Sequence, residues 1–206
     1  CRVAIFHYLK SLNLSNEDEV HVIGFTCDAV TNAVNHSGAK LVLYDCDKNF
    51  RALDLNLTKN CRAIVAQITF GKPSLSPKFL NKIKAQGIHL ILDQSLGYGP
   101  RCFIDPYLEY DAVVWSFESS KSVTIGWGGV IKINESRQLI QFTRYFNSLK
   151  RVPLVFDLYR ILSAYINIFM CQKGSNLKKV FWLFSRLIGL IRESKKSDLK
   201  QARKFP

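Results

Sequence analysis

Short apolar runs without alternation, spaced through the first two thirds of the chain, constrain its fold more than any other feature. They are Leu41-Val42-Leu43-Tyr44, Ala63-Ile64-Val65-Ala66, Ile88-His89-Leu90-Ile91-Leu92 and Ala112-Val113-Val114-Trp115. A strand with one wet face alternates apolar and polar residues, whereas a run of four or five apolar residues marks a strand covered on both faces. Glu19 to Phe25 and Gly129 to Ile133 read as two further strands. The intervening segments carry helix signals. Val3 to Leu12 has one apolar face, Asp28 is placed to cap a helix through His36 that Gly38 would stop, and Pro77 can open a helix ending near Gly87. Strands alternating with helices predict a three-layer α/β/α domain with a mostly parallel sheet. The Gly129–Ile133 strand follows too short a loop for a parallel crossover, so it is expected to run antiparallel to its neighbour.

In an open parallel sheet, ligands bind beyond the carboxyl ends of the strands. Two residues with matching chemistry fall there. Asp93 ends the Ile88–Leu92 run, and Lys121 lies on the loop Ser116-Phe117-Glu118-Ser119-Ser120-Lys121 that follows Trp115. A lysine amine that condenses with an aldehyde and a carboxylate that pairs with a protonated ring nitrogen are the groups pyridoxal 5'-phosphate most requires of a protein. Ser116 can reach the phosphate, with Ser119 and Ser120 as further candidates. The sequence therefore assigns Lys121 as catalytic residue and Asp93, Ser116 and Lys121 as cofactor-binding residues. His7, His21, His36 and His89 lack metal-ligand spacing, so no metal is expected. Gly126-Trp127-Gly128-Gly129 is not a dinucleotide-binding fingerprint.

The charge is unevenly spread. Residues 137–206 hold 15 of the 29 Lys and Arg but three of the 16 Asp and Glu, so the net +13 belongs largely to that segment. A boundary is accordingly read between residues 1–136 and 137–206. Helices are expected over Gln138–Lys150, Leu154–Cys171 and Leu177–Arg192, interrupted by Asp157, Arg160 and Arg186, which argues against a spanning helix. Three readings of this basic, aromatic-rich segment stand side by side. Its amphipathic helices can pack on the α/β domain. Its Lys and Arg beside aromatics such as Phe181-Trp182 can contact a membrane surface. Nucleic-acid binding comes third and last, because the basic residues are present but no recognised module is, so no nucleic-acid partner is expected, and binding of anionic nucleotide-sugar phosphates is a further option. The six cysteines form no C-x-x-C pair and mostly lie in or beside apolar segments, so buried free thiols and a cytoplasmic setting are expected. Because the chain opens on Cys1 without a signal-peptide pattern, it reads as a fragment or processed piece.

These motifs resemble the DegT/DnrJ/EryC1/StrS sugar aminotransferases among the fold-type I pyridoxal phosphate enzymes. Asn16-Glu17-Asp18-Glu19-Val20-His21-Val22-Ile23-Gly24-Phe25-Thr26 resembles that family's "pGDEVIvPaft" segment. Asn32-Ala33-Val34 with Gly38-Ala39-Lys40-Leu41-Val42 is similar to its "NAv…GAkPvf". Ser116-Phe117, Lys121 and Gly126-x-Gly128-Gly129 match the block carrying the cofactor lysine. The resemblance implies a cytoplasmic homodimer that transfers an amino group, usually from glutamate, to a nucleotide-linked keto sugar for polysaccharide or modified-sugar biosynthesis. Relatives that are dehydratases carry histidine in place of the lysine, so Lys121 favours transamination.

The sequence departs from the family pattern at several points. Leu96 stands where the family has a glutamine near the cofactor's 3-hydroxyl, and the adjacent Gln94 is expected to point elsewhere. Cys27 falls at the position of a ring-stacking aromatic, and Trp127 replaces a glutamate. Leu96 and Cys27 read most simply as core or pocket-wall residues. The segment before the phosphate loop and the small C-terminal domain are not recognisable. A second expectation therefore accompanies the first, namely a catalytically inactive relative serving as an interaction module, with a membrane surface as one place for it to act.

Overall fold

The computed structural model describes residues 1–97, 110–118, 121, 123–124 and 128–149, together with Leu158, Ile161, Leu162 and Tyr165. Four helices, α1 (Arg2–Ser11), α2 (Asp28–Ser37), α3 (Pro77–Ala85) and α4 (Ser136–Asn147), alternate with seven strands. These are β1 (Glu19–Ile23), β2 (Lys40–Tyr44), β3 (Cys61–Thr69), β4 (Lys72–Pro73), β5 (His89–Asp93), β6 (Ala112–Ser116) and β7 (Gly129–Ile133). The strands order as β2-β1-β3-β5-β6-β7, with the short β4 pairing beside the end of β3. β2, β1, β3, β5 and β6 run parallel, while β7 is antiparallel to β6, as its short preceding loop requires. The α/β/α expectation is met.

Side chains alternate across the sheet, and two cores result. On one face Val20, Val22, Ala63, Val65, Ile91, Ala112 and Val114 pack with Ile5, Tyr8 and Leu9 of α1, with Val30 and Val34 of α2, and with Phe142 of α4. On the other, Ile64, Ala66, Leu90, Leu92 and Val113 pack with Leu80 and Ile83 of α3. Fully burying each Val, Leu or Ile contributes about 1.5–3 kcal/mol, which explains why unbroken apolar runs settle in the middle of such a sheet.

Local signals set the helix ends. Gly38 closes α2 with φ of 96°, a left-handed conformation that a Cβ would strain. Ser76 caps α3 through a bond from Phe79 N–H, and Pro77 takes its first position. The cap read at Asp28 is corrected. Cys27 occupies the N-cap of α2, and Asp28 lies in the first turn, where its charge still complements the helix dipole. β3 is also longer than its apolar core, continuing through Gln67, Ile68 and Thr69 because β5 and β4 pair along it.

The boundary read after residue 136 falls at the start of α4, and α4 packs back on α1. Tyr8 Oη donates to Gln138 Oε1 at 2.7 Å, Gln138 in turn reaches His89 Nδ1 at 2.7 Å, and Gln141 Nε2 donates to Ser11 O at 2.6 Å. Most of the stretch 154–171 and all of 177–192 lie outside the described residues, so the helices read there do as well.

A polar cluster around the buried Glu19 and His21 anchors the amino-terminal edge of the sheet. Glu19 Oε2 accepts from Thr58 Oγ1 at 2.6 Å and faces His21 Nε2 at 3.2 Å, while Oε1 accepts from Lys40 Nζ at 3.0 Å. These bonds, led by that from Thr58, hold the Glu19 carboxyl down at about 2. A carboxyl lowered on folding adds stability above its unfolded value near 4.5, lost as pH falls toward 2. Glu19→Gln should therefore lose about 1–3 kcal/mol at neutral pH. Urea unfolding measured from pH 7 to pH 2 should show a flatter acid limb for the variant than for the parent.

Candidate active site

Three adjacent parallel strands deliver polar side chains to one face at their carboxyl ends. Along β5, Ile91 lies in the core beneath α1 and α2, so Asp93 two residues on emerges on that same face. Along β6, Ala112 and Val114 place Ser116 there too. Along β3, Ala63 and Val65 do so for Gln67, whose register partner is Asp93. Neighbouring strands lie about 4.8 Å apart, so Gln67, Asp93 and Ser116 form a row roughly 10 Å wide.

Asp93 is 4% exposed. Its Oδ1 accepts from the Ser95 backbone N–H at 2.8 Å, from the Ser95 hydroxyl and from Cys1 Sγ at 3.3 Å. Its Oδ2 accepts no bond from a described residue. Burial pushes the carboxyl above the ordinary aspartate range, opposed by the two Ser95 bonds and by the positive charge of Lys121. A half-used carboxylate in a dry setting is suited to one further cationic N–H donor.

Lys121 is half-buried, and its backbone N–H donates to Glu118 O at 2.9 Å. Its positive charge acts on Asp93 and lowers the carboxyl slightly, against the effect of burial. Ser116 is buried and pairs with Gly129 across β6 and β7. A Cβ at Gly129 would meet Trp115 O at 2.5 Å and Cys1 N at 2.7 Å. Glycine there lets β7 and the start of α1 close over the row. The candidate phosphate hydroxyls Ser119 and Ser120, and Trp127, lie outside the described residues.

Other positions differ from expectation. Cys27 is exposed rather than a core residue, because as the α2 N-cap it lies on the loop after β1. Leu96 is 43% exposed on the turn following Asp93, so it is no core residue either. Of the described cysteines only Cys61 is buried, while Cys1 and Cys46 are half-buried and Cys27 is exposed. Gln94 does point away, as expected. It is fully buried, its amide crowds Gly97 near Ile68, and neither polar atom of that amide has a hydrogen-bond partner.

Gln67 and Thr26 belong to the site but carry no motif that reveals them. Thr26 Oγ1, on the loop before Cys27, donates to Gln67 Oε1 at 3.0 Å, and Gln67 Nε2 donates to Thr69 Oγ1 at 2.8 Å. Three phenylalanines rim the same edge, Phe25 after β1, Phe50 after β2 and Phe70 after β3, with centroid spacings of 4.8 Å and 5.7 Å. Phe50 and Phe70 hold left-handed backbone conformations, φ 63° and 50°, that disfavour bulky side chains.

The model of the DegT/DnrJ/EryC1/StrS aminotransferase family matches residues 1–150. GDP-perosamine synthase of Escherichia coli O157:H7 is 26% identical over 140 residues, covering 65% of this chain and 38% of that protein. An aminotransferase from Psychrobacter cryohalolentis superposes with a TM-score of 0.62 at 22% identity, over 76% of this chain and 41% of that one. NtdA from Bacillus subtilis, determined with bound cofactor PMP, superposes with a TM-score of 0.59 at 22% identity, over 68% of this chain and 33% of that one. The structural likenesses establish the fold. The chain spans less than half the length of the curated relatives it matches.

A carboxyl whose folded value is raised costs stability once pH exceeds its unfolded value, and the cost is complete above the folded one. Asp93→Asn removes that charge and keeps an oxygen for Ser95. The variant should melt a few degrees higher than the parent at pH 7 without added ligand, and no higher at pH 3, as followed by circular dichroism.

Proposed function

The chain belongs to the DegT/DnrJ/EryC1/StrS aminotransferase family, and from that premise we propose that it is the large-domain part of a pyridoxal phosphate-dependent enzyme that transfers an amino group to a keto sugar. The sugar is proposed to be nucleotide-linked and its product to feed polysaccharide or modified-sugar biosynthesis, with an amino acid as donor. The observation that carries the cofactor reading is Asp93: buried, half-satisfied, and within the field of Lys121 at one sheet edge. These residues fit the group. Asp93 would hold the pyridinium nitrogen, Ser116 would bind phosphate oxygen, and Lys121 would condense with the aldehyde. When bound, the cofactor supplies a ring that accepts the electron pair released from a substrate Cα–H bond.

The chain's own residues do the rest. Burial around Asp93 keeps its charge from being screened, so its preference for a protonated partner nitrogen is strengthened. Lys121, once its amine is freed by a substrate amine, would serve as the base that takes the proton from the substrate carbon and as the acid that later gives it back.

A cytoplasmic homodimer accompanies this reading, as family membership suggests. A second reading has its own observation. On α4, Leu139, Ile140 and Phe146 are exposed beside Arg137 and Arg144, next to the strongly basic segment that follows. An interaction module that contacts an anionic membrane surface would use such a face. No helix among the described residues is long and apolar enough to cross a membrane.

Two experiments separate these readings. The chain is incubated with pyridoxal phosphate, reduced with borohydride and mapped by mass spectrometry. Label on Lys121 that disappears in Lys121→Ala supports the enzyme, and a folded chain that takes no label contradicts it. Flotation with vesicles of mixed neutral and anionic lipid should recover the chain at low salt if the second reading holds, with recovery falling as salt rises. No flotation at low salt removes it.

A further inference from the structure

We propose that Gln67 binds the 3-oxygen of the cofactor ring, taking over the contact that Leu96 cannot make. The inference rests on the pyridoxal phosphate reading of the site and adds to it a residue that no motif marks. It begins with the order of substituents on the ring. From the nitrogen, one direction passes the C2 methyl to the C3 hydroxyl, and the other passes C6–H to the C5 arm that carries phosphate. With the nitrogen on Asp93 of β5 and the phosphate toward Ser116 of β6, the hydroxyl falls on the opposite flank of Asp93. That flank is β3, and the β3 residue paired with Asp93 is Gln67.

The chemistry of Gln67 suits this place. It is 6% exposed and shares the face of Asp93 and Ser116. Its amide is held at both ends, with Thr26 Oγ1 donating to Oε1 and Nε2 donating to Thr69 Oγ1. Its backbone is fixed as well, N–H donating to Ser74 Oγ and C=O accepting from Ser74 N–H, each at 2.9 Å. An amide nitrogen has two hydrogens, and among the described residues only Thr69 uses one of them. The spare N–H faces a requirement of matching sign. A ring whose nitrogen is protonated carries its 3-oxygen as a phenolate, an acceptor that favours a preorganised neutral donor. Leu96 offers none, being an exposed apolar side chain.

Thr26 then acts as a positioning residue. It joins the loop before α2 to the amide, so removing its hydroxyl should loosen Gln67 without touching the ring.

The test compares binding of pyridoxal phosphate and its 3-O-methyl ether to the full chain by visible absorbance titration. The ether keeps the aldehyde, phosphate and ring nitrogen but cannot present a phenolate. The ratio of the two affinities should fall about tenfold in Gln67→Leu, the scale of one hydrogen bond to a charged acceptor. It should fall at least as far in Gln67→Glu, which is isosteric, still accepts from Thr26 and places a carboxylate against the phenolate. Thr26→Val should lower it part of the way. Circular dichroism identifies which variants are folded, and Gln67→Glu and Thr26→Val keep the test open if Gln67→Leu is not. An unchanged ratio in the folded variants overturns the assignment of Gln67 alone. Failure of the wild-type chain to bind either compound overturns the cofactor reading and this inference with it, and no substitution is needed to see that outcome.

Discussion

The register of three parallel strands governs everything at the candidate site. β3, β5 and β6 are packed so that Val65, Ile91 and Val114 face α1 and α2, and the two-residue period of a strand then leaves Gln67, Asp93 and Ser116 no choice of face. A slip of one residue in β5 would turn Asp93 into the core under α3 and bring Gln94 to the site. The apolar runs prevent that slip, because it would exchange buried and misplaced side chains along the whole strand. The core thereby fixes the chemistry, and the carboxylate is dry for the same reason that the strands are stable.

That arrangement has a cost visible in the molecule. Burying Asp93 raises its carboxyl, and the bonds from Ser95 only partly oppose the rise. An unliganded site of this kind works against the fold, and a bound cation would relieve it. The opposite edge of the sheet is built differently. There Glu19 is also buried, yet Thr58, Lys40 and His21 surround it, so the same residue class serves stability. Both oxygens of Glu19 are bonded, whereas among the described residues only Oδ1 of Asp93 is.

Much of this was legible in the sequence, because local chemistry decided it. Unbroken apolar runs gave the strands, Gly38 and Pro77 gave helix ends, and the short loop before Gly129 gave the antiparallel edge. Asp93 and Ser116 were readable as strand-end residues. Asp28 was misread as a cap because acidic residues suit both the cap and the first turn, and only the backbone of Cys27 distinguishes the two positions. Cys27 and Leu96 suit a core by their apolar character, but both lie on loops that leave them exposed. Gln67 was invisible for another reason. Within Val65-Ala66-Gln67-Ile68-Thr69 a glutamine signals nothing, and its importance arises from pairing with Asp93 some 26 positions later, a relation that only the sheet expresses.

The central claim is that Asp93 and Lys121 address one pyridine ring. Nitrogen NMR of the chain loaded with pyridoxal phosphate labelled at the ring nitrogen tests it most directly. The ring nitrogen is expected to stay protonated in the parent chain at a pH where the same compound in free solution has lost its proton, and that proton is expected to be lost in Asp93→Asn. An unprotonated nitrogen in the parent chain, or a protonated one that the substitution leaves unchanged, would contradict it.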